Sequence, residues 1–162
     1  MATRPTADRV KEAIFSIIQF DVATATVLDL FGGTGQLGIE ALSRGANRAV
    51  FIDEREDACK LIKENLKRTK LESFARVIRS DYMSYLKSCK DKFDIILLDP
   101  PYAEVYLENS LKMITEIDIL QSGGIIVTER PAGKELPWDF PGFERSKDYK
   151  YGKTLLTIYR KS

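Results

Sequence analysis

Residues 94–102 constrain the fold of this chain more than any other stretch. Four consecutive large apolar residues, 95–98, lie between two aspartates and are followed by two prolines. This pattern predicts a strand that is buried on both faces of a parallel sheet and stops at its carboxyl end. Ligands of open α/β sheets bind at that end of the strands, so we expect the functional site there.

The turn after this strand offers hydrogen-bond acceptors and an aromatic ring. Pro100 and Pro101 have no backbone N–H, so the acceptors are the Asp99 carboxylate and the neighbouring backbone carbonyls. Such a pocket suits an amino group. The ring of Tyr102 offers a surface on which a planar base could stack, a contact worth about 1–3 kcal/mol. Taken alone, the tetrapeptide is equally compatible with a structural, proline-braced turn.

Length and composition limit the class of protein. The chain has 162 residues, of which 44% are hydrophobic, and we expect residues 1–162 to form one domain with a substantial core. The net charge is +1, so attraction to nucleic acid would need a local basic patch. The absence of histidine excludes the usual zinc sites and His-based triads. No membrane span or secretory signal is visible, so we expect a cytoplasmic, monomeric protein without a metal.

A glycine motif between two predicted strands indicates a nucleotide-like ligand. The pattern Gly-x-Gly-x-x-Gly, at residues 33–38, follows a predicted strand (26–31) and opens a helix that Gly45 closes. Asp53 follows a second strand, residues 49–52, at the spacing found in dinucleotide-binding folds. There its carboxylate could accept hydrogen bonds from ribose hydroxyls.

Two motifs resemble those of a known enzyme family. Asp99-Pro100-Pro101-Tyr102 is similar to the Asp/Asn-Pro-Pro-Tyr/Phe motif of S-adenosylmethionine-dependent methyltransferases that act on exocyclic or amide nitrogen. Residues 4–15 contain Arg-Pro-Thr-x-x-Arg-Val and Lys-Glu-Ala-Ile-Phe. They resemble the opening of one branch, the family that methylates the exocyclic N2 of a guanine in small-subunit (16S) ribosomal RNA. In that family a short basic β-ribbon usually precedes this opening; here the sequence begins at Met1 and we expect the β-ribbon to be absent, which leaves the strength of RNA binding open.

The resemblance implies a fold, a cofactor and a substrate. The fold is α/β, a Rossmann-like class I methyltransferase with a seven-stranded, mostly parallel sheet, an antiparallel C-terminal hairpin and helices on both faces. The cofactor is S-adenosylmethionine, and the partner is ribosomal RNA or a partly assembled small ribosomal subunit. The expected catalytic residues are Asp99, Pro100, Pro101 and Tyr102. The expected cofactor-binding residues are Asp29, Phe31, Gly33, Thr34, Gly35, Asp53, Glu54, Asp81 and Tyr82.

Asp29 separates cofactors that contain phosphate from those that do not. A carboxylate beside the glycine loop would repel the pyrophosphate of a dinucleotide. It would attract the ammonium and sulfonium groups of S-adenosylmethionine, directly or through water, while Gly33 and Gly35 let the backbone approach the ligand. Asp81 follows a third strand at the same edge. It matches the family's aspartate that accepts from the adenine amino group, and it also fits the N-cap of a helix over 82–88.

The remaining elements follow from hydrophobic periodicity. The first helix places Val10, Ile14, Ile17 and Ile18 on one face, with Thr6 or Asp8 as its cap. We also predict helices over 55–69 and 105–117, strands over 75–79 and 125–129, an irregular loop over 130–142, and a hairpin of 143–149 with 154–160. The helix 55–69 should bury Ala58, Leu61, Ile62 and Leu66, and 105–117 should bury Leu107, Leu111 and Ile114. The basic residues near the C-terminus fit either edge protection or an RNA-facing patch: Lys147, Lys150, Lys153, Arg160 and Lys161.

Other functions compete with the methylation of guanine. An adenine methyltransferase of DNA generally needs a separate target-recognition region, for which this chain has no room. A protein-glutamine methyltransferase would more often have Asn in place of Asp99. A dehydrogenase is disfavoured by Asp29 and by the lack of histidine. A non-catalytic module that binds the cofactor or RNA stays open.

Overall fold

The computed structural model describes residues 5–101, 104–136 and 138–162. Its helices are α1 (Pro5–Ile17), α2 (Gln36–Ser43), α3 (Glu56–Arg68), α4 (Tyr82–Ser88) and α5 (Glu104–Glu116). Its strands are β1 (Thr26–Asp29), β2 (Arg48–Asp53), β3 (Ala75–Arg79), β4 (Phe93–Leu98), β5 (Leu120–Pro131), β6 (Phe143–Arg145), β7 (Tyr149–Tyr151) and β8 (Thr154–Lys161).

These strands form one sheet in the order β3-β2-β1-β4-β5-β8-β6, with β7 also paired to β8. The pairs from β3 to β5 are parallel, and β8 runs antiparallel to β5, β6 and β7. The predicted Rossmann-like α/β sheet with an antiparallel C-terminal hairpin is therefore confirmed. Because sequence neighbours β1 and β2 extend the sheet to one side and β4 and β5 to the other, the crevice lies at the carboxyl edge between β1 and β4.

The predicted central strand, β4, is buried on both faces of this sheet. Ile95 and Leu97 pack in one core cluster with α1, α2 and α3. Ile96 and Leu98 pack in a second cluster with α4 and α5. Alternate side chains of a strand point to opposite faces, so a continuous apolar run is what two helical layers require.

The sheet has eight strands among the described residues, where seven were predicted. The first strand of the hairpin is interrupted between β6 and β7, where the side chains of Ser146 and Asp148 form hydrogen bonds with β8. Ser146 Oγ accepts a hydrogen bond from the Ile158 backbone N–H at 2.9 Å, and Thr157 Oγ1 donates to Asp148 Oδ1 at 2.6 Å. Side-chain contacts replace part of the backbone ladder there and divide the predicted strand in two.

Strand β5 is also longer than predicted. It runs from Leu120 to Pro131 and includes Gly123 and Gly124. At its carboxyl end, β8 pairs with it as far as Pro131, which lies opposite Thr154. The predicted irregular loop therefore begins two residues later than expected. Proline is tolerated at Pro131 because it ends the strand, where a donated N–H is not needed.

Two helix predictions were wrong in detail. Helix α1 begins at Pro5, so Thr6 and Asp8 lie in its first turn and neither is the N-cap. Proline suits the first helical position, where its missing N–H costs nothing. In α3, Leu61 is 38% exposed, and Cys59 is buried instead. The apolar stripe of this polar helix is narrow, and Leu61 lies outside it.

Gly38, in the first turn of α2, lets this helix pack closely on β2. A Cβ atom at this position would lie 2.6 Å from Cζ of the fully buried Phe51 ring. We expect Gly38→Ala to lower the free energy of unfolding by about 1–3 kcal/mol, the usual cost of overpacking a core. Urea denaturation measures the change.

Ser43→Ala, on the exposed side of the same helix, is the matched control and should change stability by less than about 0.5 kcal/mol. Adding Phe51→Leu should make the cost of Gly38→Ala smaller, since the two side chains compete for one space. If Gly38→Ala lowers the free energy of unfolding equally with and without Phe51→Leu, a clash with Phe51 is not the cause.

Candidate functional site

A carboxylate stands at or just after the carboxyl end of each of the five parallel strands. They are Asp29 at the end of β1, Asp53 at the end of β2, Asp81 after β3, Asp99 after β4 and Glu129 near the end of β5. All five line one cavity of about 1710 Å³. Pockets for one small molecule are usually about 300–1,000 Å³, so this cavity has room for a cofactor and a second planar group.

The cavity brings together most of the predicted site residues. Its lining includes Asp29, Phe31, Gly33, Thr34, Asp53, Glu54, Asp81, Tyr82, Asp99, Pro100 and Pro101. Gly35 does not line the cavity. Its φ is +82°, and a Cβ there would contact Ile62 and Ile39, so it shapes the loop from behind. Tyr102 lies outside the described residues, so its stacking role stays a prediction.

Asp53 holds the glycine loop against the end of β2. Its Oδ2 accepts from the Gly33 N–H at 3.0 Å, and its Oδ1 accepts from the backbone N–H and Nε of Arg55 at 2.9 and 3.2 Å. Burial opposes ionisation of Asp53, but the hydrogen bonds from Arg55 and Gly33 outweigh it and lower the pKa. Asp53 is therefore a carboxylate anion that any ribose in the cavity would share with Arg55.

Asp29 is a buried acid in the floor of the cavity, only 2% exposed. Its Oδ2 accepts from the Gly38 N–H at 3.2 Å. Burial raises the pKa of Asp29 to about 8, the Gly38 hydrogen bond opposes the rise, and the negative charges of Asp99 and Asp53 add to it. Asp29 is thus largely protonated at neutral pH, and a bound cation would favour its ionised form.

Three aromatic rings form one wall of the cavity. The Phe31 ring lies 5.3 Å from Tyr82 and 6.2 Å from Tyr106, and the Tyr82 and Tyr106 rings meet edge to face at 5.4 Å. Asn109 Nδ2 donates to the Tyr82 hydroxyl at 3.2 Å and holds its orientation. Tyr106 was missed from sequence because it lies in the first turns of a helix whose inward residues explain the pattern without it.

Asp81 is the N-cap of α4, as predicted. Its Oδ2 accepts from the Ser84 backbone N–H at 3.0 Å. Hydrogen bonds from Ser84 lower the pKa of Asp81, so this exposed carboxylate is an anion. The cap fixes the carboxylate at the rim of the cavity beside Tyr82, the first residue of α4.

A buried arginine fixes the opposite rim. Arg130 Nε donates to the Lys134 carbonyl at 2.8 Å, and Nη1 donates to Thr157 Oγ1 at 2.8 Å. Its Nη2 forms an ion pair with Asp148 Oδ2 at 3.2 Å. The network joins the loop after β5 to the hairpin; the predicted loop 130–142 included Arg130, which the structure places in β5.

The basic C-terminal residues divide between two edges of the sheet. Lys153 lies at the cavity, where its carbonyl accepts from the Ala132 N–H at 2.7 Å. At the other end of β8, Arg160 pairs with Asp21 at 3.0 Å and Lys161 with Asp118 at 3.3 Å. Arg160 and Lys161 thus form ion pairs away from the cavity, whereas Lys153 lies at the cavity, and an RNA-facing role for the basic residues stays a prediction.

Neither a metal-binding cluster nor a membrane-spanning helix is present among residues 5–101, 104–136 and 138–162. No group of three or more cysteine and acidic residues there could hold a metal ion. No helix there is long and apolar enough to cross a membrane.

Comparison with known proteins assigns the family. Residues 1–160 match the family described as Conserved hypothetical protein 95. The chain is 40% identical to YlbH of Bacillus subtilis, a candidate rRNA methyltransferase, over 99% of this chain and 89% of YlbH. It is 34% identical to Ribosomal RNA small subunit methyltransferase D of Haemophilus influenzae, over 82% and 70% of the two chains. This chain belongs to that family.

A solved structure supports the described fold. The Escherichia coli protein YhhF, described as a candidate methyltransferase, superposes with a TM-score of 0.89 at 29% identity. The match covers 99% of this chain and 88% of YhhF. The fold implied by the resemblance, a class I methyltransferase, is therefore the fold of this chain.

The raised pKa of Asp29 predicts a pH-dependent stability. The folded protein keeps a proton on Asp29 up to about pH 8, whereas the unfolded chain loses it near 3.8. Between these values the folded state binds more protons, so the free energy of unfolding falls as pH rises, by up to about 1.4 kcal/mol per pH unit. Asp29→Asn should remove this part of the slope, as measured by urea denaturation across the window.

Asp81→Asn is the matched control, because it also removes a carboxylate at the same edge but from an exposed position. Its free energy of unfolding should fall with rising pH as in the wild-type protein, between pH 3.8 and about 8. Parallel profiles for wild type and Asp29→Asn would show that Asp29 is already ionised in the empty site.

Proposed function

We propose that this chain transfers the methyl group of S-adenosylmethionine to the exocyclic N2 amine of a guanine in small-subunit ribosomal RNA. One observation carries the proposal: Asp29, beside the glycine loop, and Asp99, in the Asp-Pro-Pro turn, line the same cavity and lie close enough for their charges to interact. The names of the family members in Haemophilus influenzae and Bacillus subtilis support ribosomal RNA as the substrate.

The described residues fit S-adenosylmethionine better than a dinucleotide. The cavity floor is acidic, which suits an ammonium and a sulfonium and would repel a pyrophosphate. Asp29 would hold the cationic end of the cofactor, Asp53 the ribose and Asp81 the adenine amino group, with the adenine ring against Phe31 and Tyr82. The remaining cofactor-binding assignments, Gly33, Thr34, Gly35 and Glu54, belong to the glycine loop and the end of β2.

The main task of the protein in this reaction is to align the amine with the methyl group. The N2 lone pair of guanine is delocalised into the ring, so the amine is a poor nucleophile. The Asp99 carboxylate and the Pro100 carbonyl would each accept one amine hydrogen and turn the lone pair toward the methyl group. A nitrogen–carbon bond forms as the carbon–sulfur bond breaks, and the amine proton leaves through Asp99 or water. Orientation of this kind supplies up to roughly 7–11 kcal/mol.

The target base must leave its stack to reach the cavity. Tyr102, which directly follows Pro101, is the predicted platform for the extruded ring. The volume of about 1710 Å³ accommodates a base beside the cofactor.

Methyl transfer to undermodified small ribosomal subunits tests the function. The protein is incubated with the subunits and S-adenosylmethionine labelled in its methyl group, and the label is mapped by nuclease digestion and mass spectrometry. Label on the N2 of a single guanine is the expected result. Label on adenine N6, or on a protein glutamine, would replace the proposal with the corresponding alternative. Cofactor binding without transfer to any substrate would indicate a non-catalytic module.

Asp99→Ala should abolish turnover and leave cofactor binding nearly intact. The variant loses the acceptor that orients the amine, and a loss of at least about 100-fold in kcat is expected for one precisely placed polar group. Calorimetric titration with S-adenosylhomocysteine measures the cofactor side, and single-turnover rates measure the transfer.

Glu135→Ala is the matched control, since Glu135 is an exposed acid of the loop that lines the same cavity. It should keep both cofactor affinity and rate. If Asp99→Ala weakens cofactor binding while turnover persists, Asp99 belongs to the cofactor site and not to the amine.

Lys153→Gln should weaken binding to the small subunit. Lys153 is exposed at the cavity rim, where a phosphate of the substrate would pass, and we expect the slope of log affinity against log salt to fall by about one. Filter binding over a range of salt concentrations measures it.

Lys161→Gln removes the same charge from the far end of the same strand, where Lys161 pairs with Asp118. Its salt slope should match that of the wild-type protein. Equal effects of the two substitutions would mean that general charge, and not the cavity rim, attracts the RNA.

A further inference from the structure

Glu129 is an acid of the cavity that the proposed chemistry leaves without a role. It lies on β5, which pairs in parallel with β4, and Leu98 stands opposite Thr128. Asp99 directly follows Leu98, and Glu129 directly follows Thr128. Because neighbouring strands lie about 4.8 Å apart, Asp99 and Glu129 are neighbours across the sheet. Both residues line the cavity.

The backbone at Glu129 is held firmly on both sides. Thr128 Oγ1 donates to the Thr157 carbonyl at 2.7 Å, and Arg130 is tied by its side chain to Thr157 and Asp148. Both flanking residues are buried, whereas Glu129 itself is half-buried. Because its backbone is fixed in this way, the Glu129 side chain can accept a hydrogen bond from a ligand atom at a defined position.

The order of the strands separates two tasks. Across the sheet the strands lie in the order β1-β4-β5, so Asp29 stands on one side of Asp99 and Glu129 on the other. If Asp29 faces the cofactor and Asp99 the reacting amine, Glu129 faces the part of the base beyond that amine. In guanine this part is N1–H, the donor directly beside N2.

We propose that Glu129 accepts the N1–H hydrogen of the target guanine and thereby selects guanine over purines whose N1 carries no hydrogen. The inference builds on the proposed function and names the residue that determines its specificity. A base such as adenine or 2-aminopurine turns a lone pair at N1 toward the Glu129 carboxylate. Two acceptors facing each other in a cavity leave the carboxylate without its partner, which disfavours such a base.

The other acids of the cavity are less suited to this task. Asp53 holds the glycine loop through Gly33, and Asp81 caps α4. Both follow strands on the cofactor side of Asp99. Glu135 is exposed on the loop after β5 and lacks the support of a strand.

The test compares two bases at the position mapped in the methylation experiment. Small subunits are reconstituted with RNA that carries either guanine or 2-aminopurine there. 2-Aminopurine keeps the N2 amine but has no N1 hydrogen. We expect wild-type kcat/KM to favour guanine by at least about 100-fold, as for sites built around a substrate N–H. Glu129→Ala should remove most of this preference, because the rate on guanine falls and the rate on 2-aminopurine does not.

Two variants accompany the substitution. Glu129→Gln keeps the size of the side chain and offers an amide N–H to an unprotonated N1, so it should also shrink the preference. Glu135→Ala should retain the preference of the wild-type protein. Titration with S-adenosylhomocysteine confirms that each variant keeps its cofactor site.

The outcomes separate this inference from the function on which it builds. Loss of rate on both bases by the same factor in Glu129→Ala, or an unchanged preference, would overturn the role of Glu129. A wild-type protein that does not distinguish the two bases would overturn it as well. A wild-type protein that methylates no guanine in the subunit would instead overturn the proposed function.

Discussion

Burial of β4 on both faces is the constraint on which the rest of the structure depends. Its side chains alternate between two core clusters, so helices must cover both sides of the sheet. With both faces covered, the open end of the crevice is the carboxyl edge. Pro100 and Pro101 end the strand at that edge and leave Asp99 at the cavity, where the turn offers only acceptors.

The same edge concentrates negative charge. The five carboxylates at the ends of the parallel strands line one cavity, and the negative charges of Asp99 and Asp53 contribute to the high pKa of Asp29. Such an arrangement is costly when the cavity holds only water, because a buried acid must either keep its proton or lose solvation. A ligand that brings positive charge relieves this cost. The geometry thus favours a cationic cofactor over an anionic one by electrostatics alone.

The antiparallel hairpin supplies the other half of the site. Strand β8 pairs with residues 125–131 of β5; Lys153 precedes β8 at the cavity, and Lys161 ends it at the opposite edge. The buried Arg130 joins the loop after β5 to this hairpin. This ion pair joins the buried Arg130 guanidinium to Asp148, whose side chain is 41% exposed, so desolvation of the guanidinium offsets part of the attraction. It holds the rim on the side where the substrate would enter.

Local sequence determined the strand that ends at the Asp-Pro-Pro turn, the glycine loop, the acid at the end of β2 and the inward faces of most helices. Each is a property of a few adjacent residues: a side-chain period, a missing N–H or a missing Cβ. The resemblance added the expected cofactor and substrate of these motifs, and the family and fold agree with it. Only the tertiary structure decided that Tyr106 joins the aromatic wall and that Arg130 bonds across to Asp148. It also divided the basic residues between two edges and set Glu129 beside Asp99. These contacts join residues far apart in sequence through strand order and register, which no local pattern encodes.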